Sequence, residues 1–212
     1  VGLVIILAVL GLILLKGPQA IIDSIAVLPL ENLTGDTEKE FFVDVATEEL
    51  IGQLGQIEAW RVISRTSVMQ YKGMDKPLPE IARQLNVDAV VEGSVQQAGD
   101  RVRIQVRLID ALPEEQNLWG QAYERAMSDV RAMYGEMART IADKAKINLT
   151  ADELTRLTSA SQVNPESYNA YLKGRSYLDR REPTPEGRKL AQQYFELALE
   201  IDPNNALAHV GM

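Results

Sequence analysis

Polar and apolar positions alternate most cleanly in the middle of the chain. Val102, Ile104, Val106 and Leu108 interleave with Arg101, Arg103, Gln105 and Arg107, a period of two that predicts a half-buried strand. It pairs with a preceding strand, Val87 to Gln96, across Ala98-Gly99-Asp100. The short apolar run Ser24-Ile-Ala-Val-Leu-Pro-Leu30 predicts a buried strand, with Pro29 at its end or at an irregular point. Trp60 to Ser64 predicts another strand, and Asn117 to Tyr123 one at the edge.

Between these runs the period lengthens to that of a helix. Phe42, Val45, Ala46, Leu50, Leu54 and Ile57 recur every three or four positions and predict a helix over 38–57. Leu78, Ile81, Ala82 and Leu85 give a short one over 77–85, and Val130, Met133, Met137, Ile141 and Ala145 one over 128–147. Strands mixed with helices on one chain imply an α/β sandwich with a mixed sheet. Thr150-Ala-Asp-Glu153 has the pattern of a capping box, in which the Thr hydroxyl accepts from an unpaired amide and the Glu reaches back. A short helix to about Leu157 follows, then the polar linker Thr158 to Gln162.

The two ends differ from this middle. Val1 to Leu15 carries no charge. A helix needs about 20 apolar residues to span a hydrocarbon core, so 1–16 reads as a transmembrane helix truncated at its start. The alternative is the apolar part of a cleaved leader, but the exit Leu15-Lys16-Gly17-Pro18-Gln19-Ala20 lacks a small-x-small cleavage site. Orientation is not readable from the single Lys16. At the other end, Asn164-Pro165 and Thr184-Pro185 each place a cap before a helix-starting proline. They predict helices to about Leu178 and to about Ile201, where Asp202-Pro203 stops the second. The expected layout is a transmembrane helix over 1–16, an α/β domain over 23–148, a capped helix and linker over 149–163, and an all-α hairpin over 164–212.

Charge and composition narrow the function. The net charge of −8 makes nucleic acid a poor partner, because phosphate contacts need clustered Lys and Arg. With no Cys there is no disulfide, thiolate metal site, Cys nucleophile or lipoprotein anchor. His209 is the single His, which makes a zinc site improbable, and no G-x-S-x-G elbow accompanies it. No cofactor or metal is expected.

The tail, with Gly174, Tyr177, Ala191, Phe195, Ala198 and Pro203 in the small, aromatic and terminal-proline positions, resembles a tetratricopeptide (TPR) repeat. It departs in a longer inter-helix loop and in Ala170, where an aromatic is expected. A second repeat begins at Ala206-Leu-Ala-His209, where His209 takes a core or groove position. The middle resembles the TolB amino-terminal-like domain. The resemblance rests on Val27-Leu-Pro-Leu-Glu-Asn32, Gly35-Asp36, Phe42 with Asp44 and Glu48-Glu49-Leu50, Arg61 to Ser67, Ile81-Ala82 to Asp88, Val91-Glu-Gly-Ser-Val95, Arg101-Val-Arg103, Leu108-Ile-Asp110 and Leu118-Trp119. Val45-Ala46 departs from the usual Gly-Leu.

Taken together, the resemblances imply a bacterial single-pass regulator of the inner membrane. Its output domain would lie upstream, either a winged helix as in CadC-like proteins, a kinase or a cyclase, and its soluble part outside the cytoplasm. The expected function is a non-catalytic sensor or interaction module. The alternatives are the regulatory part of a kinase or cyclase, and an envelope scaffold. The partners expected are the membrane and a protein docked through the repeat and the α/β domain, with Tyr168, Tyr171 and Arg175 as contact residues on the concave face; oligomeric state is left open. Asp44 and Glu48 lie one helical turn apart, as an acidic docking point, a weak cation site or a solvated face. Arg101, Arg103 and Arg107 form a row that could grip an acidic partner or line the wet side of the sheet. Ser64 to Ser67 could cap the next turn or bind an anion. The sequons at Asn32 and Asn148 are read as chance.

Overall fold

The computed structural model describes residues 22–159, 163–178 and 184–211. The expected transmembrane helix over 1–16 lies outside the described residues. Among the described residues, no helix is long and apolar enough to cross a membrane.

The chain forms β1 (Ser24–Val27), β2 (Glu31–Asn32), α1 (Glu40–Leu54), β3 (Arg61–Val62), α2 (Arg65–Val68) and α3 (Leu78–Leu85). It continues with β4 (Ala89–Ala98), β5 (Arg101–Asp110), β6 (Gln116–Ala126), α4 (Val130–Lys144) and α5 (Ala151–Thr158). Helices α6 (Pro165–Leu178), α7 (Pro185–Ile201) and α8 (Ala206–Gly211) complete it. The sheet order is β3-β1-β4-β5-β6, with β2 also paired to β4. β1 pairs in parallel with β3 and β4, and β2 in parallel with β4, while β5 pairs antiparallel with both β4 and β6. The sheet is therefore mixed.

Side-chain alternation divides the core into two layers. Ile25, Val27, Val91 and Val95 on β1 and β4 join Val102, Ile104, Val106 and Leu108 of β5 under α1 and α4. Ala26, Leu28 and Val90 point the other way and meet Val68, Tyr71, Ile81 and Ala82 of the α2–α3 region. Each fully buried aliphatic side chain here contributes about 1.5–3 kcal/mol relative to exposure. The second layer covers only the β1 end of its face, so Arg101, Arg103, Gln105 and Arg107 stand exposed on the uncovered part.

Local chemistry sets the element ends. Pro29 has no N–H to donate, and the pairing of β1 with β4 stops at Val27 before resuming through Glu31. The strand expected over 60–64 contracts to Arg61–Val62 because Ser64, extended at φ −65° and ψ 152°, becomes the cap position of α2. Its hydroxyl lies 3.2 Å from that of Ser67 and makes no bond to the helix amides. The capping box forms as expected. Glu153 N–H donates to Thr150 Oγ1 at 3.2 Å, and Thr150 N–H donates to Glu153 Oε2 at 2.7 Å. Gly135 is where α4 and α5 cross: a Cβ there would lie 2.0 Å from the Leu157 carbonyl oxygen.

Helices α6 and α7 pack antiparallel. Ser167 Oγ donates to the Ala198 carbonyl at one end, and Tyr177 stacks on Tyr194 at 5.8 Å at the other. Gly174 lets them approach, since a Cβ there would lie 2.5 Å from the Phe195 ring. The hairpin is not a separate body: Tyr168, Tyr171 and Phe195 belong to the same apolar cluster as the sheet and α4. The core position expected as one alternative for His209 is not observed. Ala208 takes the inward position of α8, and His209 turns outward, exposed, its Nε2 3.0 Å from the Pro203 carbonyl.

Candidate functional site

Two regions gather the polar chemistry. The first is the seam between α1 and α6. Arg175 Nη2 donates to both carboxylate oxygens of Glu48, at 3.1 and 3.0 Å, and its Nη1 donates to the Tyr171 hydroxyl at 3.1 Å. Arg65 approaches Glu48 from the other side at 3.7 Å. One turn earlier on α1, Lys72 bridges Asp44 and Glu40. Hydrogen bonding from Lys72 holds the Glu40 carboxyl below its ordinary value, against burial and with help from Asn32. Burial works to lower Lys72, but its bonds to Asp44 and Glu40 carry it upward overall. Asp44 and Glu48 are therefore neither an empty acidic site nor a plain solvated face, since each is paired within the chain.

Deeper in the seam the pairing is incomplete. The hydroxyls of Tyr134 and Tyr168 and Nε of Arg131 are buried without hydrogen-bond partners. Burial pushes both tyrosines upward, with further upward pressure from Glu49. Burial also raises the Glu49 carboxyl above its ordinary value, against Arg131 and Arg175 and with Glu48 adding to the rise. Tyr168 and Tyr171, expected to face a partner, are 0% and 5% exposed, and Arg175 is held by Glu48. All three are engaged by the chain's own α/β layer. Sequence reasoning missed Glu49, Arg131 and Tyr134 as members of this group, because helical spacing does not reveal which helix will cover which.

The second region is a cleft of about 520 Å³ on the open face of the sheet. Glu92, Ser94, Gln105 and Arg107 form its floor, and Tyr71, Met74, Lys76 and Leu78 form a wall. Arg107 pairs with Glu92 at 2.5 Å and Arg101 with Glu124 at 3.0 Å, while Lys76 pairs with Glu80 at 3.1 Å. Arg103 stands between the first two in the row and lines the adjoining recess with Gln96. The cleft thus presents amides, hydroxyls and guanidinium groups suited to a polar ligand or peptide. Among the described residues, no group of three or more His, Cys, Asp or Glu could hold a metal ion.

No family model matches the chain. Over 189 residues, 89% of its length, it is 36% identical to a protein named putative adenylate cyclase 3 from Rhizobium meliloti (strain 1021). The chain spans about a third of that relative, 32% of its length. Similar solved structures include the PelC dodecamer from Paraburkholderia phytofirmans, with TM-score 0.42 and 18% identity over 63% of this chain and 94% of that one. Lipoprotein GNA1162 from Neisseria meningitidis has TM-score 0.41 and 19% identity over 57% and 98%. TolB from Acinetobacter baumannii has TM-score 0.39 and 17% identity over 61% and 29%.

Proposed function

We propose that the chain is the non-catalytic regulatory portion of a membrane-anchored bacterial signalling protein of the cyclase-linked kind. It would recognise a ligand or protein partner and pass that event to an upstream output domain. The observation that carries this reading is the similarity to putative adenylate cyclase 3, which extends over 89% of the chain and so takes in both the α/β layer and the helical hairpin. The seam supports it physically. Arg175 and Glu48 bind the hairpin to α1, so an event at one part has a route to the other. The reading gives the visible residues recognition and coupling, and places the chemistry elsewhere in the protein.

In this reading α6 and α7 are a TPR hairpin, consistent with the Gly174–Phe195 contact and the inward Ala191 and Ala198. The cleft beside Gln105 and Arg107 serves as the recognition surface. The apolar segment Val1 to Leu15 anchors the protein in the inner membrane, with the soluble part outside the cytoplasm.

The test is cyclic-nucleotide synthesis by the intact gene product, with and without residues 22–211. A cyclase activity that changes severalfold on deletion is expected. Absence of cyclase activity would remove the cyclase-linked reading, and an activity indifferent to the deletion would remove the regulatory one.

A further inference from the structure

Strand β6 ends the sheet with one edge unpaired among the described strands. β6 is an eleven-residue strand, Gln116–Ala126, at the end of the sheet order, and no described strand pairs with its outer side. Edge strands of this length are normally blunted by Pro, Lys, a β-bulge or a covering element. β6 has one irregularity, at Leu118 near its start, and is regular from Trp119 to Ala126. Here Gly120, Gln121 and Ala122, at the middle, are all exposed.

Hydrogen-bond phase identifies which groups are free. Met127 N–H donates to the Asp100 carbonyl at 2.7 Å, one step beyond the Arg101–Ala126 pair. Antiparallel ladders alternate between bonded and non-bonded pairs. Trp119, Gln121, Tyr123 and Arg125 therefore direct their amides toward β5. Gly120, Ala122 and Glu124 turn theirs to the open edge.

We infer that two copies of this chain join antiparallel through β6, in the register centred on Gln121, to form one continuous sheet across a two-fold axis. In that register Gly120 of each copy exchanges backbone bonds with Ala122 of the other, so the outward amides meet one another. Trp119 then lies opposite Tyr123 of the second copy, extending the contact that these two rings already make at 6.3 Å within one chain. Cross-strand aromatic pairs of this kind stabilise sheets. The regular contact runs from Trp119 to Tyr123, short of the bulge at Leu118, and no like charges oppose each other within it. The chain as a whole carries −8, but the strand carries one Glu and one Arg. The edge is thus a place where two acidic molecules can meet without charge repulsion along the contact itself.

The chain has no Cys, which permits a clean cross-linking test on the full chain in detergent solution. Gln121→Cys places one thiol of each copy at the axis, in a non-bonded pair whose Cα separation suits a disulfide. Under mild oxidation it is expected to give a covalent dimer about tenfold faster than Glu196→Cys on α7, because pairing raises the effective thiol concentration. Adding Ala122→Pro, which removes an outward N–H and leaves the β5 ladder intact, should abolish that advantage without changing the circular dichroism. Ala122→Lys, which keeps the backbone donor, provides the same test should the proline variant not fold. Equal cross-linking at Gln121 and Glu196, an advantage that survives both Ala122 substitutions, or a monomer at high concentration would each overturn the proposal.

Discussion

Arg175 and Glu48 stand 127 residues apart in sequence and meet with one guanidinium nitrogen at 3.0–3.1 Å from both carboxylate oxygens. The pair joins the C-terminal hairpin to the first long helix of the α/β layer. Both side chains are about a third exposed, at 28% and 37%, so solvent screens much of their attraction. A double-mutant cycle with Arg175→Ala and Glu48→Gln should return a coupling of about 0.5–1 kcal/mol in urea unfolding. Zero coupling would show that apolar contacts alone hold the seam.

Glu49 supplies the pH dependence of the same seam. Its folded-state carboxyl titrates above the ordinary value because burial disfavours the charge. The native state therefore binds the proton more tightly than the unfolded chain does. This contribution to stability is fully present below the ordinary carboxylate range and is lost as pH rises through the raised value. Glu40 and Glu153 work in the opposite direction. Their carboxyls are held low, by Lys72 and by the Thr150 and Glu58 amides, and their contributions are lost as pH falls. Urea melts from pH 4 to 8 should show Glu49→Gln flattening the decline on the alkaline side. An unchanged slope would mean that Glu49 is solvated.

Two glycines should respond oppositely to the same substitution. Gly135→Ala drives a methyl into the Leu157 carbonyl and should cost about 1–3 kcal/mol by forcing α4 and α5 apart. Gly52 lies within α1 with nothing within 4 Å of its would-be Cβ, so Gly52→Ala should gain about 0.5–1 kcal/mol from helix propensity. Thermal denaturation of both variants checks the pair.

Phe195 is 1% exposed and lies 5.9 Å from the Tyr171 ring. Phe195→Ala should cost about 3–5 kcal/mol through the cavity it leaves. Protease digestion should then cut within α6 and α7 before the sheet. A melting profile equal to the parent's would show that the hairpin packs in another way.

Strand β5 was legible because one face is dry and the other wet, and its alternating Val102, Ile104, Val106 and Leu108 are all 0% exposed. The starts of α6 and α7 were legible from Asn164-Pro165 and Thr184-Pro185, and the capping box from Thr150 and Glu153. The coverage of apolar faces was not legible. Tyr168 and Tyr171 have the composition of a docking surface, and only the fold shows α1 and α4 against them. Asp88 was equally silent in sequence, though its carboxylate accepts the amides of Asp23 and Ser24 and the Ser24 hydroxyl. Local patterns report one element's own periodicity; pairings across 64 or 127 residues depend on topology.

The Glu153 carboxylate does more than close its own helix. Besides its bonds to Thr150, Oε1 accepts the Glu58 amide at 2.8 Å, across 95 residues of sequence. This bond fastens the N-terminal end of α5 to the bend between α1 and β3. Mechanically, α5 is a strut with a pinned foot, braced on α4 at Gly135. A load on α5 is delivered to that bend, beside Trp60 and its indole bond to the Ile22 carbonyl, where the described chain begins.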